Sequence, residues 1–176
     1  PGYGGSCFPK DTLALVNTAR DVGSPLRIVE AVVDINDKRK KQMADRVIAA
    51  CDGSLDGKTV AVLGVTFKPN TDDMRDSPSL DIVPAMQKAG ATDRAFDPEG
   101  MDEAKEMLDD VQWCADAYET MQGADVLVII TEWNAFRGLD FDRVKSLLSK
   151  PVLVDLRNIY NPDEMATIGI EYHCLG

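Results

Sequence analysis

The feature that most constrains this chain is a set of short, uninterrupted apolar runs in its C-terminal part. Asp125 to Thr131 (Asp-Val-Leu-Val-Ile-Ile-Thr) is the clearest, and Thr59 to Leu63 and Val152 to Asp155 resemble it. A strand with one wet face alternates apolar and polar residues. A run that is apolar at nearly every position must be covered on both faces. Helical stretches separate the runs: Ser79 to Lys88, Met101 to Leu108 and Phe141 to Leu148. Strands alternating with helices through right-handed crossovers predict an α/β fold, a doubly wound parallel sheet. Shorter strands are predicted at Asp93 to Phe96 and Val111 to Trp113, with an edge strand at Ile170 to Cys174. Ligands of such sheets sit outside the carboxyl ends of the strands. That rule singles out Gly64 to Arg75, Asp97, Thr131 to Trp133, and Asp155 to Asn158.

The upstream part reads differently. Asp11 to Val22 predicts a short helix with Leu13, Val16 and Ala19 on one face, ended by Gly23-Ser24-Pro25. Leu26 to about Cys51 predicts a long helix with Ile28, Val29, Val32, Val33, Ile35, Val47 and Ile48 as its apolar positions. Such a helix spans on the order of 35–40 Å, long for one small domain, and suits a connecting or interface role. The charged run Lys38-Arg39-Lys40-Lys41 reads as a solvated helix face. Turn signals at Asp52-Gly53-Ser54 and Asp56-Gly57 divide residues 1–52 from residues 53–176. The chain opens at Pro1 inside a dense Gly-rich motif, which reads as a fragment whose N-terminal part is missing.

Charge and composition exclude several classes. Lys plus Arg number 19 and Asp plus Glu 30, a formal charge of −11, so a nucleic-acid partner is not expected. No apolar run approaches the ~20 residues a membrane helix needs, so no membrane partner is expected. The four cysteines, Cys7, Cys51, Cys114 and Cys174, lie far apart, and His173 is the one histidine. That set predicts neither a metal site nor a disulfide scaffold. With no signal peptide, the expected compartment is the cytoplasm.

The string Gly2-Tyr3-Gly4-Gly5-Ser6-Cys7-Phe8-Pro9-Lys10-Asp11 carries the strongest chemical signal. Its glycines permit a tight loop and close approach of a ligand. A cysteine just before a helix start sits at the positive end of the helix dipole, which favours a reactive thiolate. Lys10 adds a cation and Asp11 a base within reach. The bland alternative is a Gly-rich turn before a structural cysteine. The loop after the first strand, Gly64 to Arg75, has a single glycine and no Gly-x-Gly-x-x-Gly fingerprint. Lys68 and Arg75 there, read alone, are solvated loop charges. Ser77-Pro78 resembles an N-cap with Pro at the first helical position. Arg157, after the Val152–Asp155 strand, either meets a ligand or pairs with a neighbour such as Asp163. Trp133 reads as core packing, and Cys51, Cys114 and Cys174 as small packing residues.

Taken whole, Gly-x-Gly-Gly-Ser-Cys-Phe-Pro-Lys-Asp resembles the active-site motif of the UDP-glucose/GDP-mannose dehydrogenase family. The resemblance continues through Asn36-Asp37, Gly64 to Arg75, Thr131-Glu132-Trp133 and Asp155-Leu156-Arg157-Asn158, in the family's order. It implies two-step oxidation of a nucleotide sugar, UDP-glucose first, at its C6 alcohol, using NAD. In that scheme the thiolate at Cys7 attacks the intermediate aldehyde, a thioester follows, and water hydrolyses it. Asp11 matches an acid/base aspartate, and Lys10 and Arg75 match residues near NAD. Gly4, Gly5, Phe67, Lys68 and Arg157 match the UDP-sugar site. The resemblance also implies a homodimer built on the long helix, a UDP-binding domain over residues 53–176, and an NAD-binding domain absent from this chain. The alternatives are a sister enzyme acting on GDP-mannose or a UDP-N-acetyl sugar, and a nucleotide-sugar-binding module without catalysis.

Overall fold

The apolar runs become the centre of a six-stranded sheet. In the computed structural model, which describes residues 1–176, the strands are β1 (Thr59–Leu63), β2 (Thr92–Phe96), β3 (Val111–Trp113), β4 (Val126–Ile129), β5 (Val152–Asp155) and β6 (Glu171–Cys174). Their order is β3-β2-β1-β4-β5-β6, and every neighbouring pair is parallel. The chain runs outward from β1 to β3, then returns to β4 on the other side of β1. The topological switch point therefore lies at the carboxyl ends of β1 and β4.

Double coverage explains the unbroken apolar runs. Val60, Val62, Val126, Val128 and Val154 face one core. Ala61, Leu63, Leu127, Ile129 and Leu153, the intervening residues, face the other. The helices are α1 (Phe8–Asp21), α2 (Arg27–Ala50), α3 (Ser79–Lys88), α4 (Met101–Lys105), α5 (Ala117–Met121), α6 (Asn134–Arg137), α7 (Phe141–Leu147) and α8 (Pro162–Thr167). The first core takes Met43, Ala44 and Val47 from α2, Ile82, Val83 and Met86 from α3, and Ala104 from α4. The second takes Met121, Phe136, Val144 and Met165 from α5 to α8. Fully burying side chains of this kind is worth ~1.5–3 kcal/mol each.

Several local expectations change. Helix α1 begins at Phe8 rather than Asp11, with Pro9 in its first turn, where a missing N–H costs nothing. Helix α4 ends at Lys105, short of Leu108, although Leu108 still reaches the core. The one-turn helices α5, α6 and α8 were not anticipated. Ser77 does two things at the entrance to α3: its Oγ accepts from Ser79 N–H at 3.4 Å, with Pro78 already helical at φ −54, and its hydroxyl donates to the Val65 carbonyl at 2.6 Å, tying the loop after β1 to the helix. The basic run on α2 is not uniformly solvated. Lys38 is exposed and pairs with Asp34, but Lys40 is buried, with its ammonium 3.0 Å from the Asp76 carbonyl. No helix is long and apolar enough to cross a membrane.

Candidate functional site

The Gly-rich loop lies on the loop that follows β1. Gly5 N–H donates to the Arg75 carbonyl at 2.8 Å. A Cβ at Gly4 would run into the Asp76 carbonyl oxygen. Gly5 has φ +86, and a Cβ there would be 2.7 Å from the Phe67 ring. Glycine at these two positions is what lets backbone rest on backbone and on an aromatic face.

The contact leaves an open groove of about 390 Å³ lined by Gly4, Gly5, Ser6, Cys7, Phe67 and Lys68, among others. Cys7 is exposed at the entrance to α1, and its Sγ lies 3.6 Å from Ser6 Oγ. The Lys68 ammonium sits 5.3 Å from the Phe67 ring centroid and carries no carboxylate partner, so a cation is free to meet an anionic ligand. Thr71 and Asp73 close the far side.

The other singled-out residues stand in three relations to the groove. Lys10 and Asp11 lie on the first turn of α1, 3.5 Å from each other and largely exposed, outside the groove lining. The Arg75 side chain points to the rim, where Asp73 accepts two hydrogen bonds from it, at 2.9 and 2.7 Å. That contact pulls the Asp73 carboxyl below its ordinary range and raises the Arg75 guanidinium. Arg157 is a brace. It donates to the Ile130 carbonyl at 2.7 Å and the Phe67 carbonyl at 3.1 Å, and pairs with Glu132 at 2.9 Å. Glu132, not Asp163, is its partner. Burial lowers the Arg157 pKa, and the Glu132 charge opposes that shift.

The switch-point crevice does not suit a dinucleotide. In sheets that bind one, a carboxylate at the end of the second strand meets a ribose hydroxyl. Asp97 holds that place, but it is buried and already accepts from Val65 N at 2.7 Å, Gly100 N at 2.8 Å and the Trp133 indole at 3.1 Å. Trp133 is thus core packing with a polar tie. Arg75 and Lys10 are exposed cations outside this crevice, each beside a carboxylate, Asp73 and Asp11 respectively. A smaller cavity of about 70 Å³ lies at the opposite end of the sheet, beside Cys51, Asp52, Lys58 and Lys150. Its charges satisfy local groups: Lys58 donates to the Cys51 carbonyl at 2.6 Å, and Lys150 pairs with Asp52 at 3.1 Å. No three His, Cys, Asp or Glu side chains gather as a metal site.

The UDP binding domain of the UDP-glucose/GDP-mannose dehydrogenase family matches residues 61–162, more than half of the chain, and the family's central domain matches residues 1–38. The chain belongs to that family. The UDP-glucose 6-dehydrogenase of Rhizobium meliloti (strain 1021) is 57% identical over 176 residues, covering 100% of this chain and 40% of that protein. UDP-glucose 6-dehydrogenase TuaD of Bacillus subtilis (strain 168) is 41% identical, over 99% of this chain and 38% of its own length. A UDP-glucose dehydrogenase structure from Pyrobaculum islandicum superposes with TM-score 0.81 at 32% identity, over 99% of this chain and 38% of that one. The chain thus spans about 40% of the length of its curated relatives. Within the family frame, the groove joins the two matched parts, because Gly4 to Cys7 come from the central domain and Phe67 and Lys68 from the UDP-binding domain.

Sequence reasoning missed how far Asn36 and Lys40 are buried in α2. The available signal was an Asn and a Lys one helical turn apart in line with Met43, Ala44 and Val47.

Proposed function

We propose that this chain supplies the nucleophilic thiol and the sugar-nucleotide site of an NAD-dependent UDP-glucose 6-dehydrogenase. The observation that carries this reading is the groove in which the Cys7 loop rests on Phe67 beside the free ammonium of Lys68. The 57% identity to a UDP-glucose 6-dehydrogenase supports UDP-glucose as the sugar nucleotide.

In this reading Lys68 meets the diphosphate and Phe67 packs against the ligand. Gly4 and Gly5 keep the loop thin enough for the sugar to approach. Arg157 acts on the same site by holding the Phe67 carbonyl. The Cys7 thiolate adds to the C6 aldehyde carbon: a carbon–sulfur bond forms and the carbonyl oxygen takes a proton. At the acyl level, water attacks the thioester, the carbon–sulfur bond breaks, and the thiolate returns. A thiolate suits this role because it is a good nucleophile and a good leaving group. Asp11, one turn along α1, assists the proton transfers. NAD supplies the hydride acceptor, with Arg75 and Lys10 as this chain's contacts to it. We assign the remaining contacts to a separate NAD-binding domain of the full-length protein, and residues 1–52 and 53–176 to the central segment and the UDP-binding domain.

The exposed apolar residues of α1 and α2, among them Phe8, Leu13, Ile28 and Ile35, support the further reading that the long helix pairs with a second copy. A monomer mass by light scattering at tens of micromolar removes that part of the proposal.

The direct test is stoichiometric. The full-length protein given UDP-glucose and excess NAD should form NADH and UDP-glucuronate in a ratio of two to one, while residues 1–176 alone form neither. A higher kcat/KM on GDP-mannose or a UDP-N-acetyl sugar replaces the substrate. UDP binding without NADH formation by the full-length protein reduces the reading to a binding module.

A further inference from the structure

The two loops that build the groove belong to different parts of the chain, and one pair of side chains on α2 holds both. Asn36 is 7% exposed. Its carboxamide is spent wholly on Tyr3: Tyr3 N–H donates to Oδ1 at 2.8 Å, and Nδ2 donates to the Tyr3 carbonyl at 3.2 Å. Both bonds together fix the amide orientation, since a flip would set donor against donor and acceptor against acceptor. Lys40, one turn further, is 5% exposed. Its ammonium donates to the Asp76 carbonyl at 3.0 Å and has the Asp81 carboxylate at 3.8 Å. The Asp76 carbonyl is also the one against which Gly4 rests.

The geometry points to Asn36 and Lys40 as positioning residues that set where Cys7 stands over the groove. Cys7 is four residues from Tyr3, and its own side chain has only Ser6 as a hydrogen-bonding neighbour. Nothing at the thiol itself holds it. Its position is inherited from the loop, and the loop is pinned at Tyr3 by Asn36 and at Gly4 and Gly5 by the Arg75–Asp76 backbone. Lys40 holds that backbone in turn. Asp76 turns the backbone there with φ +51, a left-handed conformation that Asp tolerates, and Lys40 holds the carbonyl this turn presents. Because α2 buries Met43, Ala44 and Val47 in the sheet's core one to two turns on, the pair references the loop to the rigid part of the fold. Both side chains are costly to bury: an unpaired amide or ammonium here is destabilising, so each is tolerated only in this double engagement.

This inference rests on the reading of Cys7 as the reacting group, and the experiment separates the two. Lys40→Met keeps the stem and removes the donor; Asn36→Asp keeps the acceptor for Tyr3 N–H and removes the donor to its carbonyl. In the full-length enzyme each should lower kcat about 100-fold, the scale of an ångström-size misplacement, with KM for UDP-glucose within about threefold. Hydrogen exchange across Gly2–Phe8 should speed up about tenfold, while exchange in β1 and β4 stays as in the wild type. Faster exchange throughout the sheet would mark a variant that misfolds, and the other variant then decides. Wild-type kcat in a folded Lys40→Met protein, alongside an inactive Cys7→Ser protein, overturns the positioning role. So does unchanged exchange at Gly2–Phe8. Full turnover by Cys7→Ser instead overturns the reading of Cys7, and the exchange measurement still decides whether the pair holds the loop.

Discussion

In the sheet domain Leu127, Ile129 and Leu153 expose none of their surface, whereas in the helical segment Val22 is 72% and Ile28 82% exposed. The two regions have similar apolar material and use it in opposite ways. The domain closes both of its cores on itself. The segment from Pro1 to the middle of α2 leaves apolar side chains outward and packs lightly, with only Pro9, Val16 and Ala19 buried in α1. Helix α2 belongs to both, since its C-terminal half is core and its N-terminal half carries the loop. Under the proposed function this becomes a division of labour: stability resides in the sheet, and the proposed chemistry resides on a segment whose position is borrowed.

If that division holds, substitutions should separate into those that change turnover and those that change stability. Cys7→Ser is the extreme case. In the full-length protein it should lower formation of the acid by at least about 1,000-fold, with an unchanged Tm, because the side chain is exposed. A Tm loss of several degrees would place Cys7 in the structural half after all.

Next in size is a weak point inside the stable half. Asp93 is fully buried on β2, and neither carboxylate oxygen has a hydrogen-bond partner. Burial pushes its pKa up to about 7. The folded state therefore holds a proton that the unfolded chain, with a pKa of ~3.9, has released by neutral pH. The stability that the protonated form retains is fully present below pH ~4 and is lost as pH rises through about 7. The gap is worth about 4 kcal/mol at most. Asp93→Asn should raise stability at pH 8 and lose most of that advantage near pH 4, as read by urea denaturation at both pH values. An equal gain at both would show that charge is not the cause.

The third contrast sets one buried against one exposed aliphatic residue. Leu127→Ala should cost about 3 kcal/mol in a denaturation midpoint, as a core cavity does. Ile28→Ala in residues 1–176 should stay within about 0.5 kcal/mol. A loss at Ile28 rivalling that at Leu127 would mean that the helical segment is covered in solution, and its concentration dependence would identify a second copy as the cover.

The smallest effect concerns the groove. UDP should bind weakly to residues 1–176 and more weakly still at high salt, and Lys68→Ala should weaken it by about 1–2 kcal/mol in calorimetry. Arg75→Ala should change it less, because Asp73 already occupies that guanidinium. The reverse order would move the diphosphate to the rim.

Much of this was legible in the residues. The runs at Thr59, Asp125 and Val152 could be satisfied only between two helical layers, and the sheet follows. The missed helices had local signals too short for periodicity to register. Asp116 caps α5, and Asn161 with Pro162 opens α8. Each helix is little more than one turn, and its packing on the sheet stabilises it.

By itself, then, the sequence determined the parallel α/β class and the loop that carries Cys7, because apolar continuity and a contiguous motif are properties of neighbours in the chain. Only the tertiary structure decided which cations remain free. Lys68, Arg157 and Lys40 look alike as residues. Lys68 is left to the groove, while Arg157 is spent on Phe67, 90 positions away, and Lys40 on Asp76, 36 positions away. A side chain's hydrogen-bond partner is set by what the fold brings within about 3 Å, and for these charges that neighbour lies far along the chain.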